Sequence, residues 1–114
     1  RNYKGIRSVW RGAHFYPQRA PKEGERVDVR AIYWGWVAWT GWIPGLGKVV
    51  IIDHTVSFTS LYAHLASIDV TVGEKVKTGH ILGAMGDTES FFGKRLYMEL
   101  RRDGVALDPL PWMR

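Results

Sequence analysis

The chain has no cysteine among its 114 residues, which excludes thiol nucleophiles, cysteine-ligated zinc and disulfide staples. No apolar run approaches the roughly 20 residues that a membrane-spanning helix needs. There is no block of like charge either, so the basic arm usual in nucleic-acid binders is missing and no nucleic-acid partner is expected. No segment keeps a helical apolar period over three turns, which leaves few helices or none. Histidine is scarce at four, so each can be weighed singly.

What is present is an ordinary globular composition, 46% hydrophobic and 24% charged. The length suffices for one domain whose core needs neither metal nor disulfide. Residues 1–30 hold eight basic side chains against three acidic ones, which accounts for the whole net charge of +5. Scattered among apolar residues, these cations read either as solvated surface or as an attraction for an anionic polymer such as cell wall. The chain begins with Arg1, and the expectation is a single domain, 1–114, excised from a longer protein whose upstream region regulates it.

Lys48 to Leu65, KVVIIDHTVSFTSLYAHL, combines a β-branched run, a short polar turn and an alternating run, which is the pattern of a β-hairpin in an antiparallel sheet. The two-residue period sets Ser60, Tyr62 and His64 on one face and Leu61, Ala63 and Leu65 on the other, making the first a candidate site and the second core. Residues 1–15 read as one or two short strands, Tyr16–Gly24 as a loop and Arg26–Tyr33 as a strand. Ala66–Gly83 reads as strand, turn, strand. Arg95–Arg102 reads as a last strand with Leu96, Met98 and Leu100 inward and Arg95, Tyr97, Glu99 and Arg101 outward; Asp103-Gly104 is a two-residue hairpin signal. The fold class is mainly β, an antiparallel sheet or sandwich.

Tyr33–Trp42, YWGWVAWTGW, carries four of the six tryptophans. Gly35 is read as a turn or bulge with Trp34 and Trp36 partly exposed beside it, either as a platform for a sugar ring or partner protein or as cover for core edges. His54 is expected to pair with turn backbone and His80 to be exposed. For His64, a bond to Tyr97 or backbone and direct partner contact both stay open.

GWIPGLGKVVIIDHTVSFTSLYAHLASIDVTVGEKVKTGHILGAMGDT followed by LYMELRRDGVALDPLPWM resembles the LytM or lysostaphin-type zinc endopeptidases of bacterial peptidoglycan, from about Trp10 to the end. Active members carry His-x-Gly-x-Asp, Tyr-x-His-Leu and His-x-His blocks. Here the first block is WRGAH, with Trp10 and His14 at the ligand positions, the second is YAHL with His64 retained, and the third is RLY, with Arg95 and Tyr97 for the two histidines. Indole has no lone pair to give, a phenol would need deprotonation and a guanidinium places fixed positive charge beside a metal. Zinc is therefore expected to be absent and hydrolysis lost.

The ending LYMELRRDGVALDPLPWM is most similar to the EnvC group of murein hydrolase activators. That resemblance implies a periplasmic or otherwise extracytoplasmic domain that binds and activates a cell-wall amidase at cell division through its vacated groove. Tyr97 and Arg101 would be the contacts, with His64, Arg95, His14 and Trp10 lining the floor. The retained histidine of YAHL departs from the EnvC pattern and leaves EnvC-type against NlpD-type open. Two other readings stand beside it: a peptidoglycan-binding module using Trp34, Trp36 and the basic face, and an enzyme with a rearranged metal site built from His14, His64 and His54 or His80.

Overall fold

The computed structural model describes the backbone of residues 3–7 and residues 12–17, 21–22, 24–91 and 93–107 in full. Trp10, Phe92 and the segment 108–114 lie outside the described residues. The elements are β1 (Tyr3–Arg7), β2 (Gly12–Pro17), β3 (Asp28–Arg30), β4 (Gly35–Ile43), β5 (Gly47–Asp53), β6 (Phe58–Ile68), β7 (Lys75–Val76), β8 (Ile81–Met85), β9 (Leu96–Arg102) and β10 (Val105–Leu107), with no helix among the described residues. All pairings are antiparallel. The main path runs β1-β2-β9-β6-β5-β4-β7. Strand β6 is long enough to serve two neighbours, β9 along residues 58–63 and β8 along 65–68. Strand β3 then pairs β8 and lays Val29 and Leu82 onto the core.

That core, with Phe15, Val50, Ile52, Tyr62, Leu65, Leu96, Met98 and Leu100, lies on one face of the main path. A smaller cluster of Val49, Ala63 and Tyr97, flanked by Ile43, Leu46, Ile51 and Leu61, lies on the other. The sheet is thus covered on one face and shallowly apolar on the second. The alternation expected along β9 is present: Leu96, Met98 and Leu100 are fully buried in the core, while Arg95, Glu99 and Arg101 stay half-buried beside Tyr97 on the second face. Asp103 and Gly104, both at positive φ (52° and 78°), close the β9–β10 hairpin as their dipeptide pattern requires.

Several expectations are corrected. The strand expected over Arg26–Tyr33 is only Asp28–Arg30, and β2 extends through Tyr16 into the expected loop. Gly35 makes no bulge; it sits where a Cβ would lie 2.4 Å from the Asp53 carbonyl oxygen, so only glycine lets β4 approach β5 there. The bulge falls instead between Val37 and Trp39.

The largest correction concerns β6. His64 has φ +62° and the register with β5 shifts at this point, Val50 facing Tyr62 but Lys48 facing Leu65. A β-bulge with a residue in the left-handed region adds one residue and inverts the alternation. Ser60 and Tyr62 therefore point into the core before the bulge and Leu65 after it, while Leu61, Ala63 and His64 share the opposite face. What holds His64 in this costly conformation is its own N–H, which donates to the Leu46 carbonyl at 2.7 Å.

The His54 ring does pair with backbone, though with Trp34 and not with its own hairpin turn. It is buried, with Nδ1 2.7 Å from the Trp34 carbonyl and Nε2 2.7 Å from Ser60 Oγ, which lies 2.8 Å from Tyr62 Oη. A carbonyl only accepts, so Nδ1 carries the hydrogen and Nε2 of the neutral ring accepts from Ser60. The Tyr62 oxygen in turn accepts the Ile32 N–H at 3.1 Å, so this polar chain crosses the core with its groups satisfied.

Candidate functional site

Register places side chains in rows across the second face of the sheet. One row runs Trp39, Ile51, Leu61, Glu99 and Gly12 over β4, β5, β6, β9 and β2. The next carries Gly41 and Val49, then Ala63, Tyr97 and His14. The middle of the face is apolar and the β9–β2 side is polar. Val49 and Ala63 are fully buried in it, while Ile51 and Leu61 are half-buried.

Tyr97 organises the polar side. Its ring centroid lies 4.9 Å from that of His14 and 6.5 Å from that of His64. Its hydroxyl donates to Glu99 Oε2 at 2.7 Å, and Arg101 donates from Nε to Glu99 Oε1 at 3.1 Å. Glu99 thus joins the phenol to the guanidinium in a charge-assisted triad. Beneath the Tyr97 ring lies Gly12, where a Cβ would meet the ring at 2.9 Å and the Met98 carbonyl oxygen at 2.3 Å. The glycine of the first motif block is explained by that space.

His64 is fixed from the loop between β8 and β9. Its Nδ1 donates to the Thr88 carbonyl at 2.7 Å, leaving Nε2 as the basic nitrogen of the neutral ring. Thr88 Oγ1 also accepts the Lys48 N–H at 3.1 Å and donates to the Leu65 carbonyl at 2.9 Å. Glu89 reaches the Gly45 N–H at 3.4 Å. The His14 and His64 rings stack at 6.3 Å, and Arg95 Nη1 lies 3.4 Å from the Tyr16 hydroxyl.

Electrostatics keep these histidines neutral. Burial, then Arg95 and His64, push His14 down from the usual 6.5 to about 4. His64 is lowered too, by burial first and by Arg95, against the opposing pull of the Thr88 carbonyl and Glu89. His54 is lowered by burial. In the unfolded chain each would take a proton more readily, so their contribution to stability is complete above pH 6.5 and is lost as pH falls, for His14 down to about 4. The thermal midpoint is therefore expected to drop between pH 7 and pH 4.5 by calorimetry, and His14→Gln to flatten part of that drop; a flat profile in the parent chain would contradict the burial of all three rings.

The zinc that the fold implies does not fit these residues. Among the described residues there is no group of three His, Asp or Glu side chains able to hold a metal ion. At the position expected for a ligand histidine Tyr97 spends its hydroxyl on Glu99, and Arg95 adds positive charge next to His14 and His64. The rearranged site is not assembled either, since His54 is committed to the core and His80 lies 3.5 Å from Glu74 on the β7 side.

Of the residues singled out from sequence, His14, His64, Arg95, Tyr97 and Arg101 lie together on this face, while Trp10 lies outside the described residues. Trp34 and Trp36 form a separate edge-to-face pair at 5.5 Å, with Lys75 Nζ 5.7 and 5.5 Å from their centroids. Trp39 and Glu99 join the site beyond the motif residues. Glu99 is legible from the alternation that turns it outward on its strand; Trp39 is placed by the bulge at Ala38, which leaves no signal in the sequence. The cations of the first third are partly spent, Arg26 on Asp28 and Asp69 and Arg30 on Asp28.

Comparison with known proteins agrees with this arrangement. Residues 11–109 match the model of peptidase family M23. The chain is 32% identical to murein hydrolase activator EnvC of Escherichia coli (strain K12), over 90% of this chain and 29% of EnvC. It is 34% identical to stage II sporulation protein Q of Bacillus subtilis (strain 168), over 82% of this chain and 34% of that protein. The structure of the catalytic domain of the antimicrobial peptidase lysostaphin from Staphylococcus simulans superposes with a TM-score of 0.77 at 25% identity, covering 98% of this chain and 92% of that one. The chain spans about a third of the length of the two curated relatives. With the family model matched over most of its length and the LytM-type fold shared with lysostaphin, the chain belongs to peptidase family M23.

Proposed function

We propose that this domain is a non-catalytic activator of a cell-wall N-acetylmuramoyl-L-alanine amidase, acting outside the cytoplasm in peptidoglycan remodelling at division. The observation that carries the reading is the Tyr97–Glu99–Arg101 triad: Tyr97, at a position where the peptidase motif has a ligand histidine, spends its hydroxyl on Glu99, which also holds Arg101, beside the apolar cluster of the same face. Such a face offers a polypeptide an aromatic edge, a guanidinium and apolar surface, the features that anchor one protein on another. Kinship with EnvC, a murein hydrolase activator by name, supports the same reading. The contacts assigned to the partner are Tyr97 and Arg101, with His14, His64 and Arg95 beside them and Trp10 expected at the groove from its motif position. The domain is taken to span 1–114 within a longer envelope protein whose remaining segments control access to it.

The test is release of label from dye-labelled sacculi by candidate amidases, with and without the domain. Release only in its presence, and none from the domain alone with added zinc, is the expected outcome; release by the domain alone would make it a hydrolase and end the activator reading. The alternative, glycan binding through Trp34 and Trp36, is favoured by the exposure of Trp36 and Tyr33 (38% and 48%). A sugar would have to displace Lys75 from both indoles, which weakens it. Co-sedimentation with sacculi, lost on Trp36→Ala while no amidase responds, would favour the glycan reading.

A further inference from the structure

Among the described residues, one edge of the main sheet is covered over only part of its length. Strand β4 is covered by β7 only at Gly35 and Trp36, and the turn before β7 adds two bonds at Val37, whose N–H donates to Glu74 O and whose carbonyl accepts from Gly73 N. After the bulge, residues 39–43 pair β5 alone among the described residues. The sequence there, Trp-Thr-Gly-Trp-Ile, holds no charge and no proline, the usual devices that protect an edge. Trp39 and Trp42 are 40% and 53% exposed on opposite faces of the strand, and Val72 at its far end is 55% exposed.

The direction of the unpaired backbone groups follows from β5. The Lys48 N–H turns away from β4 to donate to Thr88 Oγ1, so Trp42, opposite Lys48, directs its own N–H and carbonyl outward. By the two-residue alternation Thr40 does the same. Two outward residues flanking Gly41 make the edge self-complementary under a two-fold axis through that glycine.

We propose that residues 39–43 of β4 pair antiparallel with the same residues of a second copy of the chain, about a two-fold axis at Gly41. Thr40 then exchanges both backbone bonds with Trp42 of the second copy and Trp42 with its Thr40, four bonds in all, and each indole meets a β-branched neighbour, a favourable cross-strand pair. Gly41 faces its own equivalent across a non-hydrogen-bonded pair, where backbones come closest. On that side Trp39 already lies over Gly41, its ring 2.7 Å from where a Cβ would be, so the absence of side chains at the axis leaves room for both indoles. The bulge at Ala38 and Pro44 bound the ladder at its two ends. Two-fold pairing of this kind is self-limiting, which suits an edge that would otherwise aggregate. Tyr97 sits three strands from β4, so roughly 17 Å from the axis between the copies at the usual strand spacing, and the polar sides of both copies stay uncovered on one continuous face.

The test is sedimentation equilibrium of the 114-residue chain from micromolar to millimolar concentration. The mass is expected to rise to twice that of the chain, and Thr40→Pro, which removes an outward N–H, and Trp42→Lys, which charges the edge, are each expected to hold it at monomer with circular dichroism unchanged. Should proline perturb β4, the lysine variant decides alone. A parent chain that stays monomeric throughout overturns the proposal, as does a dimer indifferent to Trp42→Lys.

Discussion

Arg101→Glu is expected to reduce stimulation of a responsive amidase by about 30-fold or more, the loss that follows when a contact of about 2 kcal/mol is removed from the centre of an interface. Arg101 donates to Glu99 from both Nε and Nη2 at 3.1 Å, so reversal puts two carboxylates side by side and breaks the triad from its exposed end. The side chain is only half-buried, and stability should change little. Unchanged stimulation would move the contact surface elsewhere. Tyr97→Ala is expected to abolish stimulation as well, but the ring is 8% exposed and packs against His14 and Gly12, so this variant also loses stability. Tyr97→Phe separates the two effects: it keeps the ring and removes only the hydroxyl that reaches Glu99.

Gly12→Ala is expected to cost about 3 kcal/mol in urea unfolding, at the upper end of what forced packing usually costs. A Cβ there meets the Met98 carbonyl oxygen at 2.3 Å, and that oxygen is backbone in a strand held by β6 on its other side. Gly41→Ala provides the comparison. Its Cβ meets only the indole of Trp39, which can swing aside, and a change within about 1 kcal/mol is expected. Equal effects at the two positions would mean that the crowding at Gly12 is relieved by movement of β9.

Much of the fold was legible because its signals are local. The β5–β6 hairpin, the inward Leu96, Met98 and Leu100, and the Asp103-Gly104 turn each follow from a period of two or a dipeptide. The face of His64 was not legible, because nothing in YAHL marks a non-glycine residue at positive φ; the cause is the Leu46 carbonyl, eighteen residues away in sequence. The same holds for Trp39, which a bulge at Ala38 turns onto the face of Tyr97, whereas the YWGW pattern marks only Trp34 and Trp36. Thr88, which pins His64, Lys48 and Leu65 from a loop, acts through contacts that no local pattern records. The replacement of histidine by Arg95 and Tyr97 in the third motif block was visible from residue identities alone, since a donor's chemistry does not depend on where the backbone bends.

Strand β9 comes ninth of ten along the chain yet lies between β2 and β6. A ribosome or export channel delivering this polypeptide from its N-terminus therefore releases most of it before the face that bears Tyr97 and Arg101 can assemble. Until residues 96–102 have slotted in, β2 has no partner on that side and the surface does not exist. A chain cut short anywhere before that strand would lack this face altogether, so the order of synthesis fixes when the surface can first appear.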